Sequence, residues 1–107
     1  MAKFLLKSSY TVEGLRGLSK DGGTKRAEIV RAMIENLGGR MESLHFGFDE
    51  QHDTYVVCEL PNHETAAAMA IAIRVTGGLE TRITPILTAE EVDEATRIRV
   101  VYEPPGR

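Results

Sequence analysis

The sequence predicts an α+β domain: one four-stranded antiparallel sheet with helices packed on a single face. Three observations predict it. Strand-like and helix-like segments follow one another in the order β-α-β-β-α-β. Double glycines at Gly22-Gly23, Gly38-Gly39 and Gly77-Gly78 fall where helices should stop. The strand-like segments alternate between residue types, as strands with one covered face do.

Residues 4–10 read as the first strand, with Phe4, Leu6, Ser8 and Tyr10 on one face. Thr11 is placed to cap a helix that starts at Val12 and stalls at Asp21-Gly22-Gly23. Thr24 offers a second N-cap, after which Ile29, Val30, Met33, Ile34 and Leu37 recur at helical spacing. Lys25, Arg26, Glu28, Arg31 and Glu35 fill the opposite face of that helix. Residues 40–48 alternate as a second strand, and residues 54–60 form a third, rich in β-branched and aromatic residues. The polar residues 49–53 join them as a hairpin. With no Gly or Pro to prescribe a tight turn, that loop should be mobile, and His52 in it more exposed than His45. Asn62 caps a helix whose body, residues 66–75, is rich in Ala and can lie close to a sheet. Residues 79–87 form the fourth strand. Thr88 and Glu91 then make a capping box that opens a short last helix. Val100 and Val101, ahead of Pro104-Pro105, favour an extended tail. The domain therefore covers residues 1–97, with residues 98–107 as a tail expected to pack on a neighbouring subunit or a sheet edge. The arrangement is a split βαβ, ferredoxin-like one with strand order 4-1-3-2, and right-handed crossovers put both helices on one face.

A length of 107 residues allows one core and no second domain. A net charge of −3 argues against a nucleic-acid partner bound by charge. The single cysteine rules out an intrachain disulfide and a Cys-based zinc site. No apolar run approaches the ~20 residues of a membrane span, so no membrane partner is expected. The first residues lead straight into a strand rather than a signal-peptide core, and a cytoplasmic location is the expectation.

Alternation assigns the sheet faces. The helix-covered face should hold Phe4, Leu6, Leu44, Phe46, Phe48, Val56, Cys58, Leu60, Leu79, Thr81 and Ile83. The open face should hold Leu5, Lys7, Ser9, Met41, Ser43, His45, Tyr55, Val57, Glu59, Glu80, Arg82, Thr84 and Ile86. Leu5, Met41, Tyr55, Val57 and Ile86 make that face too apolar to stay wet. A homo-oligomer that pairs two such sheets would bury it.

Several strings in order add to this pattern: FLLKSSYTVEG at residues 4–14, Gly22-Gly23-Thr24, LGGRMES at residues 37–43, Glu59-Leu-Pro, the Ala-rich helix, and TPILTAEEVD at residues 84–93. Together they resemble the GYD domain family, a small bacterial and largely uncharacterised family associated with the dimeric α+β barrels. The resemblance spans about residues 3–95 and implies a ferredoxin-like homodimer. Related dimeric α+β barrels include monooxygenases, isomerases and haem-handling enzymes, so the resemblance implies fold and assembly more than activity. In one respect the chain departs from the pattern. The Gly-Tyr-Asp triplet that names the family falls at the hairpin, where this chain has Gln51-His52-Asp53.

The candidate chemistry is sparse. His45, His52 and His63 show no metal-ligand spacing, and unrelated histidines are the plainer reading. No cofactor or metal is expected; a haem, if bound, would look to His45. Cys58, mid-strand on the covered face, reads as a small hydrophobe rather than a nucleophile. Gly14-Leu-Arg-Gly17 and Gly22-Gly-Thr-Lys25 match no phosphate-loop pattern and read as a broken helix. His45-Phe-Gly-Phe48 lies on the wrong strand for an RNA-recognition box.

The informative set is Lys7, His45, Tyr55, Glu59 and Arg82, all on the open face. It is either a small-molecule or anion pocket inside an oligomer, or a set of interface salt bridges with Glu59 or Glu80. His52 and Asp53 are further candidates from the hairpin. Function is then a homo-oligomeric small-molecule-binding protein or a cofactor-independent enzyme. The alternatives are a structural or regulatory oligomer and, behind it, a ligand sensor of the ACT type.

Overall fold

The computed structural model describes residues 1–106. Its elements are β1 (Ala2–Tyr10), α1 (Val12–Asp21), α2 (Gly23–Asn36), β2 (Arg40–Phe46), β3 (Thr54–Leu60), α3 (His63–Val75), β4 (Leu79–Ile86) and α4 (Ala89–Thr96). The strands form one open sheet in the order β2-β3-β1-β4, every neighbouring pair antiparallel. This is the expected ferredoxin-like α+β arrangement.

Alternation along β1 and β3 sends Phe4, Leu6, Val56, Cys58 and Leu60 to one side. There they meet Ile34 of α2 and Ala66 and Met69 of α3. The small Ala66 side chain lets α3 sit close to the sheet. Asn62 caps α3 through its side chain, which accepts from the Thr65 amide at 2.8 Å. The Thr88–Glu91 capping box is present at α4.

Four local expectations are corrected. Thr24 does not cap α2. Gly22, at φ +84°, donates its N–H to Leu18 O at 2.7 Å, closes α1, and lets α2 begin at Gly23. Met41 is not on the open face but in the core. Met41 stands opposite Cys58 and Ser43 opposite Val57, so Glu42 is one residue too many and reverses the phase of β2. Phe48 is not in the core, because β2 stops at Phe46. Phe48 takes a positive φ of 52° and stacks outside on Phe46, ring centroids 5.8 Å apart. Ile29, counted with the apolar face of α2, is exposed.

The C-terminal segment stands apart from the body. Every residue from Ala89 to Glu103 is exposed. The radius of gyration is 16.8 Å, against about 13 Å for a compact domain of this length. The molecule is 57 Å long, although a nine-residue strand such as β1 spans only about 30 Å. The difference belongs to an arm of α4 and tail. Residues 99–104 belong to no helix or strand, Ile98 still bonds back to Ala95 O at the end of α4, and among the described residues the segment pairs with no strand. Arg107 lies outside the described residues. No helix of the described chain is long and apolar enough to cross a membrane.

Candidate functional site

Strand register lines up four of the five open-face candidates. His45 is opposite Tyr55, Tyr55 opposite Lys7, and Lys7 opposite Arg82, one row across all four strands. Directly opposed residues hold their Cβ atoms about 5 Å apart, so the two cations are immediate neighbours. Among the described residues neither Lys7 nor Arg82 forms an ion pair. Glu80 points from the same side of β4 but pairs with Arg74 at 3.4 Å.

Glu59 does not join this row. It sits opposite Lys3, four residues from Tyr55 and thus about 13 Å along the strand. Its carboxylate accepts from Arg40 at 2.8 Å, and that bond holds its carboxyl below the usual range. Glu42, freed by the bulge, bonds Lys3. The open face is therefore charge-paired at the Lys3 end, while further along it Lys7 and Arg82 stand side by side without an ion pair among the described residues. Between the ends lie Leu5 and Val57, opposite each other, with Ser43 and Thr84 beside them.

The hairpin is organised by Asp49. Its carboxylate accepts from the amides of Gln51 at 2.8 Å and His52 at 2.6 Å, and from the Tyr55 hydroxyl. These bonds pull the Asp49 carboxyl down to about 2 and push the Tyr55 hydroxyl up. The Asp53 amide donates to Ser8 O at 2.7 Å, and its carboxylate accepts from the Tyr10 amide at 2.8 Å. His52 packs edge-on to Tyr55, centroids 6.1 Å apart, and is half-buried while His45 is exposed. The expected order of exposure is thus reversed, because an Asp at the start of the turn supplies the closure that Gly or Pro would otherwise give. His63, in the first turn of α3, meets the edge of Phe4 at 6.3 Å, far from the other two histidines in the fold. Among the described residues no three His, Cys, Asp or Glu side chains are grouped to hold a metal ion. Cys58 is fully buried, and burial pushes its thiol up to about 11.

A second region was not anticipated. On the helix-covered side, where β1 ends and β3 and β4 begin, a cleft runs between the sheet and helices α2 and α3. Met33, Leu44, Val56 and Ile73 wall it, and the buried hydroxyls Ser8, Thr54 and Thr81 line it. Ser8 Oγ and Thr81 Oγ1 are 3.0 Å apart and bond each other. The inner space is about 30 Å³, enough for a small group. Tyr10, Arg26 and Leu79 line both this space and an outer groove of about 370 Å³ under α1, so they form a neck.

Arg26 is half-buried and, among the described residues, has no carboxylate partner. Glu13 and Asp21 border the outer groove. Burial raises the Tyr10 hydroxyl, against the pull of Arg26 beside it. Arg26 is thus not simply part of the polar face of α2. The available signal was positional: Ser8, Tyr10, Thr54 and Thr81 are polar residues on covered-face positions at one end of the sheet.

A single antiparallel sheet, two helices on one face and a split βαβ order define a ferredoxin-like α+β domain. The chain belongs to the GYD domain family, whose family model matches residues 4–96. No curated protein matches it.

Proposed function

We propose that this GYD domain is a homo-oligomeric small-molecule-binding protein that takes a short organic acid at the neck between sheet and helices. The observation that carries the reading is the half-buried Arg26 guanidinium, without a carboxylate partner among the described residues, at the entrance to an apolar cleft. A cation partly removed from water is costly to leave unpaired, and a carboxylate offers it two parallel hydrogen bonds. Tyr10, whose hydroxyl is protonated at neutral pH like any tyrosine's and is pushed further up by burial, can donate to the same carboxylate. The apolar walls suit a short alkyl body. Glu13 and Asp21 in the outer groove disfavour a second negative charge, so a monoanion fits better than a diacid. A cofactor-independent reaction on that acid would draw its proton from Tyr10.

Calorimetric titration of the full chain with butanoate, acetate and butanamide tests the reading. Butanoate should bind, acetate more weakly, and the neutral amide not at all. Arg26→Met should weaken butanoate by about tenfold or more, the scale of one lost charge-assisted bond. Equal affinity in Arg26→Met, or no binding by the parent, overturns it. The alternative, a structural or regulatory oligomer, draws on the unpaired cations of the open face and the projecting arm, and expects the parent to ignore all three probes.

A further inference from the structure

We propose that the cationic row His45–Tyr55–Lys7–Arg82 is the seat of the acidic helix α4 of a second copy of this chain. The inference rests on the homo-oligomeric part of the reading above and not on the ligand.

Three observations meet here. The first is charge. Lys7 and Arg82 are nearest neighbours across two strands, and among the described residues neither is ion-paired. Two adjacent cations on a face that loses its water repel unless an anion lies between them. The nearby acids already have partners other than the two cations: Asp49 the hairpin amides and the Tyr55 hydroxyl of the row itself, Glu80 Arg74, and Glu59 Arg40. In α4, by contrast, Glu90, Glu91, Asp93 and Glu94 are all exposed and no basic residue is present. Glu91 serves the capping box and Glu94 meets Arg97, which leaves Glu90 and Asp93 free of ion pairs among the described residues.

The second observation is reach. The arm projects beyond the body, and its exposed apolar side chains Val92, Ile98, Val100, Val101 and Tyr102 have no cover in one copy. Leu5 and Val57 sit next to the cationic row, a small apolar surface for such side chains to cover. The arm leaves from the end of β4 near Lys3, four residues and so about 13 Å along the strand from Arg82. It therefore meets a partner's cationic row most directly when the two sheets face each other with strands reversed.

The third is area. The chain exposes 7515 Å², whereas a compact monomer of its mass should expose about 5,900 Å². The excess, about 1,600 Å², is twice the roughly 800 Å² that each partner contributes to a standard stable interface.

Carbodiimide cross-linking, which joins an amine to a carboxylate in direct contact, tests the docking on the full chain. Nitrogen-15-labelled and unlabelled protein are mixed, equilibrated and cross-linked, and the peptides are read by mass spectrometry. Mixed-label peptides joining Lys7 to Glu90 or Asp93 are expected. In parallel, Lys7→Glu/Arg82→Glu should raise the oligomer dissociation constant by at least about tenfold. Adding Glu90→Lys/Asp93→Lys to the same chain should restore it. An oligomeric parent that gives no such mixed-label peptide overturns this inference alone. A parent that stays at 11.8 kDa overturns it together with the homo-oligomeric reading. The cross-link needs no variant, so a misfolded charge-reversed chain does not blunt the test.

Discussion

At the scale of single residues, Asp49 shows how one carboxylate can replace a turn residue. It gathers two amides and the Tyr55 hydroxyl in a loop that has neither Gly nor Pro between Asp49 and Asp53. All three donors favour the ionised form, which is why its carboxyl falls from an ordinary value near 4 to about 2. The sign of the linkage follows. A carboxyl lowered in the folded state adds stability above its unfolded value, and that stability is lost as pH falls from about 4 toward 2. The amide signals of Gln51 and His52 should therefore titrate near pH 2, well below an exposed Asp. Asp49→Asn should remove that transition and leave the rest of the spectrum in place. Amide shifts that move near pH 4 in the parent would show that the carboxylate does not hold the loop.

At the scale of elements, α1 separates two glycines that the sequence presents as a pair. A Cβ on Gly14 would lie 2.0 Å from Gly78 O and 3.0 Å from the Tyr10 ring, while one on Gly17 would meet nothing within 4 Å. The sequence motif is thus a packing device: Gly14 lets α1 lean on the start of β4, where Thr11 also donates to Gly77 O at 3.0 Å. Gly14→Ala should cost about 1–3 kcal/mol in urea unfolding, the range of an overpacked contact. Gly17→Ala should add up to about 1 kcal/mol, the difference in helix propensity. Equal effects at the two positions would refute the close approach. The same scale explains what the sequence could and could not convey. Capping side chains at Thr11, Asn62 and Thr88 act on amides three residues away, so their signal is local and legible. The cationic row was legible because period-two alternation and strand order settle which side chains share a face. The bulge at Glu42 was not, because nothing in Arg40-Met-Glu-Ser marks the extra residue, and it moves Met41 to the other face. Glu59 was assigned to the right face, but its separation from Tyr55 and Lys7 along the sheet was not legible, since register along a strand depends on where the loops close. The neck escaped notice because Tyr10 and Arg26 are joined only by the way α2 crosses the sheet end.

At the scale of the whole molecule, the apolar interior lies on one side of the sheet only, and the arm from Ala89 to Glu103 is exposed throughout. In the proposed oligomer such a chain draws part of its stability from its partner, and stability shared between copies depends on concentration. For a dimer that unfolds as it dissociates, each tenfold rise in concentration adds about 1.4 kcal/mol per dimer. Two chains of 107 residues carry an unfolding entropy of about 450 cal/mol/K, at roughly 2.1 cal/mol/K per residue. Their ratio is a rise in Tm of about 3 °C per tenfold. Between roughly 1 and 100 μM, a range that should straddle no dissociation if the interface is of standard size, Tm should therefore climb by about 6 °C. High salt should lower Tm at every concentration, because charge pairing between copies is screened there while a buried apolar core is not. A Tm that stays constant across the whole range would mean that one copy folds to full stability alone, and the open face and the arm would then be ordinary wet surface.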